Sequence, residues 1–333
     1  MKTFRTEVPV PTVPFELHIH QPMLSMGSCF SEEIGRRFLN ARFNIVINPF
    51  GQQYNPVSIS KSLIRLTEKR LYSDEDLITY NGLFHSFDHH GFFSTANPEK
   101  TLDRINDAFN KACHQIRNAE IIWITLGTAH VFYHKASSQI VNNCHKIPNT
   151  SFEQQLLHTD HIRQALQEAI RAVRTVNSKV RFVFTISPVR YVAQGFFENQ
   201  VSKGRLHDAI YTLKSSEPDL FYFPSFELVM DELRDYRFYK TDMLHPSAEA
   251  VDFVWSKLHQ WFQAETMLIT GETERIHQML QHRLLSENKS EQIRYYDTLL
   301  KSMNAAMEKY GTNYIDEISQ ISVKRHALLE EEH

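Results

Sequence analysis

Met23-Leu24-Ser25-Met26-Gly27-Ser28-Cys29-Phe30 is the stretch whose reading decides the fold. A short, mostly apolar run ends in Gly27-Ser28. Residues 31–39 then have helical character, with Glu32 and Glu33 at the start and Ile34, Phe38 and Leu39 on one face. A serine between a strand and a helix lies at the carboxyl end of the strand. There the first-turn amides have no intrahelical partner and can stabilise an anion. The position suits a nucleophile. It equally suits a helix N-cap, with Ser31 as a second cap candidate.

Outward from this junction, strand-like and helix-like segments alternate. Phe43-Asn44-Ile45-Val46-Ile47 has strand character and runs into the turn-rich Asn48-Pro49-Phe50-Gly51. Gly51 can bring its N–H close to a ligand or can simply make a turn. Helix is expected over 57–71, with Pro56 at its start. Asn81-Gly82 marks a hairpin or long loop within 78–94. A helix over 101–118 precedes Ile121-Ile122-Trp123-Ile124-Thr125-Leu126, the clearest buried-strand signal in the chain. Further helices are expected over 152–176, 202–216, 227–234 and 247–262, and strands over 180–186 and 220–223. Alternation on this scale implies an α/β fold with a mostly parallel sheet covered on both faces. The candidate polar residues fall after strands, at the edge where such sheets form sites.

The periodicity changes after residue 262. A helix is expected to start near Gly271, with Ile276, Leu280 and Leu284 on one face. A second is expected over 290–310, ended by Gly311, and a third from near Tyr314 into Glu330-Glu331-Glu332. The chain therefore divides into a domain at 1–262, whose proline-rich N-terminal residues form an extended arm, and a helical extension at 263–333. These helices are expected to pack on the main domain or on a second copy of the chain.

Composition narrows the function. The chain has 333 residues, 42% of them hydrophobic, and a formal net charge of -3, which gives no basic field for nucleic acid. No apolar run approaches the roughly 20 residues that span a bilayer. The first thirty residues, with Arg5, Glu7 and Glu16 among scattered prolines, lack the apolar core of a secretory signal. Three widely spaced cysteines, Cys29, Cys113 and Cys144, fit a reducing compartment. A cytoplasmic location is expected.

Two residues bear on Ser28. Asp242-Met243-Leu244-His245-Pro246 sets a carboxylate and an imidazole three residues apart. In a loop the Asp can hold His Nδ1–H and leave Nε2 facing a serine. The alternative is a capping Asp beside a surface His. Ser28 and Gly51 N–H groups are the candidate donors to an oxyanion, with the Gly127-Thr128 loop nearby. Arg190 can bind a substrate carboxylate or phosphate, or pair with Glu227 or Asp242. Cys29 is expected to be a packing residue.

Taken with Asn48-Pro49-Phe50-Gly51, Thr125-Leu126-Gly127-Thr128, Asn143-Cys144-His145-Lys146 and Ser187-Pro188-Val189-Arg190, the segment Gly27-Ser28-Cys29-Phe30 resembles the GSCFA family, a branch of the SGNH (GDSL-like) hydrolase superfamily. The similarity covers about residues 1–260. It implies a three-layer α/β/α, flavodoxin-like fold, with Ser28 as nucleophile, His245 as general base, Asp242 as its orienter and Gly51 as the second-block glycine. The superfamily's third block is Gly-x-Asn-Asp, and here the Asn position, counted from Gly127, is Ala129. Either Thr128, Asn143 or His145 supplies the missing donor, or the oxyanion site has two donors.

The leading expectation is an O-acyl or O-acetyl esterase acting on a small-molecule or glycan ester, without a cofactor. Two alternatives stand beside it. One is a non-catalytic scaffold using the helical tail as an interface. The other is metal-dependent hydrolysis through His18, His20, His85, His89 or His130.

Overall fold

The computed structural model describes residues 6–284 and 288–330. Arg5 and the Glu331-Glu332 end of the last expected helix lie outside the described residues. The chain forms two compact units: Met1–Pro14, Gln21–Arg36 and Ile45–Gln260 in the first, and Phe15–His20, Arg37–Asn44 and Trp261–His333 in the second.

The first unit is built on strand β1 (Met23–Gly27), which leads through Ser28 into helix α1 (Cys29–Asn40). Strand β2 (Ile45–Ile47) and helix α2 (Pro56–Glu68) follow. Asn55 caps α2 by accepting Ser58 N–H at 2.8 Å. Strands β3 (Ile78–Tyr80) and β4 (Leu83–His85) form the hairpin expected at Asn81-Gly82. Helix α3 (Pro98–Asn118) and strand β5 (Ile121–Leu126) come next.

The sequence reading fails between β5 and the following helix. Strands β6 (His130–His134), β7 (Gln139–Val141) and β8 (Phe152–Leu156) form a separate antiparallel sheet in the order β7-β6-β8. The helix expected from residue 152 starts later, as α4 (Thr159–Val176). Phe152-Glu153-Gln154-Gln155-Leu156 contains good helix formers. Pairing with β6 overrides that preference, burying Phe152 and leaving Glu153 and Gln155 exposed.

The chain continues through strand β9 (Arg181–Ile186), helix α5 (Phe196–Ser216), strand β10 (Leu220–Tyr222) and a short helix α6 (Ser225–Glu227). Helix α6 runs on as wider turns over Leu228–Leu233, and helix α7 (Ala248–Leu258) completes the layer elements of the unit.

The main sheet has the order β10-β9-β5-β1-β2, with every neighbouring pair parallel. Its central strands are buried on both faces, which is why β1, β5 and β9 read as mostly apolar runs. Leu24, Met26, Ile122, Ile124, Leu126, Phe182, Phe184 and Ile186 point to one side and share a core with residues of α2, α3, α4 and α5. Ser25, Thr125 and Thr185 face the other side. There Ser25 Oγ meets Ser31 Oγ of α1 at 2.8 Å, and Thr185 hydrogen-bonds Ser225 of α6. Helices therefore flank a central parallel sheet on both faces.

In the second unit, helices α8 (Ala264–Gln281), α9 (Lys289–Tyr310) and α10 (Ile315–Glu330) enclose Ile276, Leu299, Met303, Ala306, Tyr314 and Ile321. Gly271 lies inside α8 and does not start it, and Leu284 lies beyond its end. Gly311 ends α9 at φ 64°, as its position implied. Arg42 sits 3.9 Å over the Tyr314 ring and pairs with Glu317 at 2.7 Å. No helix among the described residues is long and apolar enough to cross a membrane.

The junction at Gly27 admits no side chain. Its φ is 149°, and a Cβ there would lie 2.3 Å from the Thr125 carbonyl oxygen. Gly27→Ala is expected to cost at least about 2 kcal/mol, from left-handed backbone strain and overpacking together, read as a lowered denaturation midpoint at unchanged slope.

Candidate active site

Ser28 is 1% exposed, and its Oγ has no hydrogen-bond partner. Its N–H donates to Thr125 O at 3.2 Å, and its carbonyl accepts Glu32 N–H at 3.3 Å, opening α1. The hydroxyl side chain is thus not used as a cap. Around it, Gly27 N–H donates to Asn48 Oδ1 at 2.9 Å and Gly27 O accepts Gln53 N–H at 2.8 Å. The loop after β2 is therefore pinned to the β1–α1 junction.

Ser28 lines a cavity of about 560 Å³ together with Thr128, Ser187, Arg190 and His245. Much of the remaining wall is Tyr54, Val189, Val192, Ala193 and Leu244. A smaller cavity of about 400 Å³ shares Cys29, Tyr54, Val189 and His245, and adds Asp242 and Lys240. Ser28 and His245 line the same cavity, and no hydrogen bond joins the Ser28 hydroxyl to the His245 ring.

His245 is held from one side. Asp242 Oδ2 lies 2.7 Å from His245 Nδ1, while Asp242 Oδ1 accepts Leu244 N–H at 2.9 Å and His245 N–H at 3.0 Å. Met243 turns the loop with φ 58°. The backbone N–H groups of His245 and Leu244, then the His245 side chain, hold the Asp242 carboxyl down at about 2. The loop is closed by Lys240 N–H to His245 O at 2.7 Å and by the bridge between Tyr239 and Pro246. Both members of the pair remain solvent-accessible.

Other predicted residues lie elsewhere. Gly51 has φ 74° but lines neither cavity, and its N–H donates to Asn48 O at 2.7 Å. Asn143 Oδ1 accepts His145 N–H, and His145 Nε2 meets Ser86 O at 2.8 Å. Neither residue reaches the Ser28 cavity. The His145 ring lies 4.4 Å from that of His85, tilted by 30°, and burial lowers it to about 4. Ala129 packs in the apolar core, so a longer polar side chain at that position would be buried there. Thr128, one residue earlier, lines the cavity instead. Among the described residues no cluster of three or more His, Cys, Asp or Glu is arranged to hold a metal.

Arg190 lines the cavity with no carboxylate partner among the described residues. Glu227 is engaged by Tyr222 and His207, and Asp242 by His245, so neither forms the ion pair considered from the sequence. The Arg190 guanidinium meets Met230 Sδ at 3.5 Å, and its backbone N–H donates to Leu244 O at 3.2 Å. Burial raises the Cys29 thiol above its usual 9.0, which keeps it protonated and weakly nucleophilic at neutral pH.

Sequence reasoning missed Tyr54 and Lys203. Tyr54 lines both cavities, and its carbonyl accepts the N–H groups of Gly127 at 2.8 Å and Thr128 at 3.0 Å. Lys203 is fully enclosed, with Nζ donating to Gly127 O and Ser187 O, each at 2.6 Å. Its signal was present in the sequence. Ser202 and Lys203 extend backward the helical stripe of Leu206, Ala209, Ile210 and Leu213, so the lysine falls on the buried face.

A GSCFA family model matches residues 22–258. The chain belongs to the GSCFA family. No curated protein matches it. Among solved structures, it is similar to a carbohydrate esterase family 3 protein from Talaromyces cellulolyticus, at 8% identity and a TM-score of 0.36. The alignment covers 75% of this chain and 98% of that one. So loose a likeness carries no argument here.

The held-down carboxyl of Asp242 has a pH consequence. The loop interactions favour the folded chain while Asp242 is ionised, above its usual 3.8, and are lost as pH falls toward about 2. A carbon-13 titration of its side-chain carboxyl is expected to show a midpoint near 2, and to move upward in His245→Ala.

Proposed function

We propose that the protein is a serine esterase of the SGNH type, cleaving O-acyl or O-acetyl groups from a small-molecule or glycan ester. The observation that carries this reading is one cavity lined by both a serine whose buried hydroxyl is unpartnered and a histidine whose Nδ1 meets a carboxylate. Ser28 Oγ attacks the acyl carbon as its proton passes to His245 Nε2. The alcohol leaves with that proton. Water deprotonated at His245 then attacks the acyl-Ser28 carbonyl, and the acid and free serine are released. Asp242 accepts Nδ1–H and favours the imidazolium that forms. Catalytic hydrogen bonds are often long before substrate binds, and the Ser28 hydroxyl has no other hydrogen bond to give up.

The oxyanion side differs from the sequence expectation on both donors, because Gly51 N–H is committed to Asn48 O and Ser28 N–H to Thr125 O. Thr128, in the cavity wall, is left as a donor. Thr128 Oγ1 accepts His130 N–H at 3.1 Å and lies 3.1 Å from Ser202 Oγ. When Ser202 donates in that pair, the Thr128 proton is left for the cavity. Arg190, lacking a carboxylate, binds an anionic group on the substrate.

A binding role without chemistry is favoured by one observation, the absence of a Ser28–His245 hydrogen bond. Labelling with a fluorophosphonate separates the two readings. The wild-type chain is expected to label on Ser28, Ser28→Ala to remain unlabelled, and His245→Ala to label on the order of 10²- to 10⁴-fold more slowly. An unlabelled wild type supports binding alone, and equal labelling of Ser28→Ala sinks the serine mechanism.

Once an ester is found that turns over, Thr128→Val is expected to lower kcat roughly 10²-fold. Arg190→Ala is expected to raise KM about 10- to 100-fold for an anionic ester and to leave a neutral one nearly unchanged. Steady-state kinetics on a matched ester pair reads both effects.

A further inference from the structure

Lys203 has no place in the chemistry above, yet it touches the site's frame. The ammonium lies where the ladder between β5 and β9 ends. Leu126 pairs with Ile186 as the last register partners, and Ser187 N–H still donates to Leu126 O at 2.9 Å. Beyond that point the strands part. Gly127 and Thr128 turn their N–H groups to Tyr54 O, and the chain after Ser187 runs through Pro188 toward Arg190. The two carbonyls left at the parting, Gly127 O and Ser187 O, both converge on Lys203 Nζ at 2.6 Å.

No carboxylate pairs with this ammonium among the described residues. Its other close partner is the Phe226 ring, 5.9 Å away. Burial pushes the lysine down to about 7, with Arg190 adding to that effect and Cys29 opposing it. An apolar side chain of similar length avoids this desolvation cost but leaves the Gly127 and Ser187 carbonyls without their donor. What it supplies, and an apolar residue cannot, is two directed bonds to the loops bearing Thr128 and Arg190.

We propose that Lys203 is a positioning residue of the Ser28 cavity. It clamps the Gly127 and Ser187 carbonyls onto one ammonium and so fixes the two loops that present Thr128 and Arg190.

The test uses the full chain and two independent readouts. Amide hydrogen exchange at residues 127–131 and 187–193 reports the clamp and needs no catalysis. The rate of fluorophosphonate labelling at Ser28 reports its consequence and rests on the esterase reading. Lys203→Met is expected to fold and to melt below the wild-type temperature, because two carbonyls lose their donor. It is also expected to exchange faster in both segments and to label about 10- to 100-fold more slowly. Lys203→Arg, which keeps charged donors, is expected to recover part of the protection.

If the wild type does not label but Lys203→Met still loosens both segments, the esterase reading fails and the clamp stands. Wild-type protection in Lys203→Met overturns the clamp, whatever the labelling shows. Should Lys203→Met not fold, Lys203→Gln is measured in its place. Failure of all three variants to fold also overturns the proposal, because the lysine would then be structural.

Discussion

The close approach of Gly27 to Thr125 is the constraint on which the first unit depends. Only a residue without a Cβ lets the end of β1 lie against the Thr125 carbonyl. That contact lets Ser28 N–H reach the same carbonyl and lets α1 start one residue later. It also fixes the loop after β2, because Gly27 bonds through both its N–H and its carbonyl to Asn48 and Gln53. Three neighbouring strands thereby deliver their following loops to one edge of the sheet. In a parallel sheet that edge collects every loop that follows a strand, so one backbone contact organises residues far apart in sequence.

Much of the frame was legible in the sequence because its determinants are local. Ile121-Ile122-Trp123-Ile124-Thr125-Leu126 is apolar throughout because β5 is central and covered on both faces. Gly311 marked a helix end because its left-handed backbone is a local property. The small sheet of β6, β7 and β8 was not legible. Its strand β8 carries Glu153, Gln154 and Gln155, which favour helix in isolation, and only β6 makes them a strand. Likewise, nothing about Gly271 alone tells a helix start from a helix interior.

The candidate site divides along the same line. Asp242 and His245 are three residues apart, so a single turn brings them together, and their spacing was visible. Gly51 followed a strand as a donor should, yet whether its N–H faces a cavity depends on the turn it makes with Asn48. Asn143 and His145 are polar and follow a strand too. They bond Phe87, Ser86 and each other, contacts set by a loop more than fifty residues earlier. Position after a strand is thus a necessary condition for reaching the site and a weak one. What decides is whether the polar group is already satisfied before a ligand arrives.

By that criterion the edge of the main sheet is uneven. Gly127 N–H, Thr128 N–H and Gly51 N–H are all committed to carbonyls of their own chain. The Ser28 hydroxyl and the Arg190 guanidinium, both lining the cavity, lack such strong partners. Backbone donors here build walls, while side chains are left for whatever enters. Walls made of loops that part from each other need something to set their separation once the strand ladder ends. An apolar side chain fills that gap but does not direct the carbonyls. An ammonium satisfies two of them at fixed distance, and those two bonds offset part of its desolvation cost. The same enclosure that makes Lys203 costly also keeps water from competing for the two carbonyls it holds.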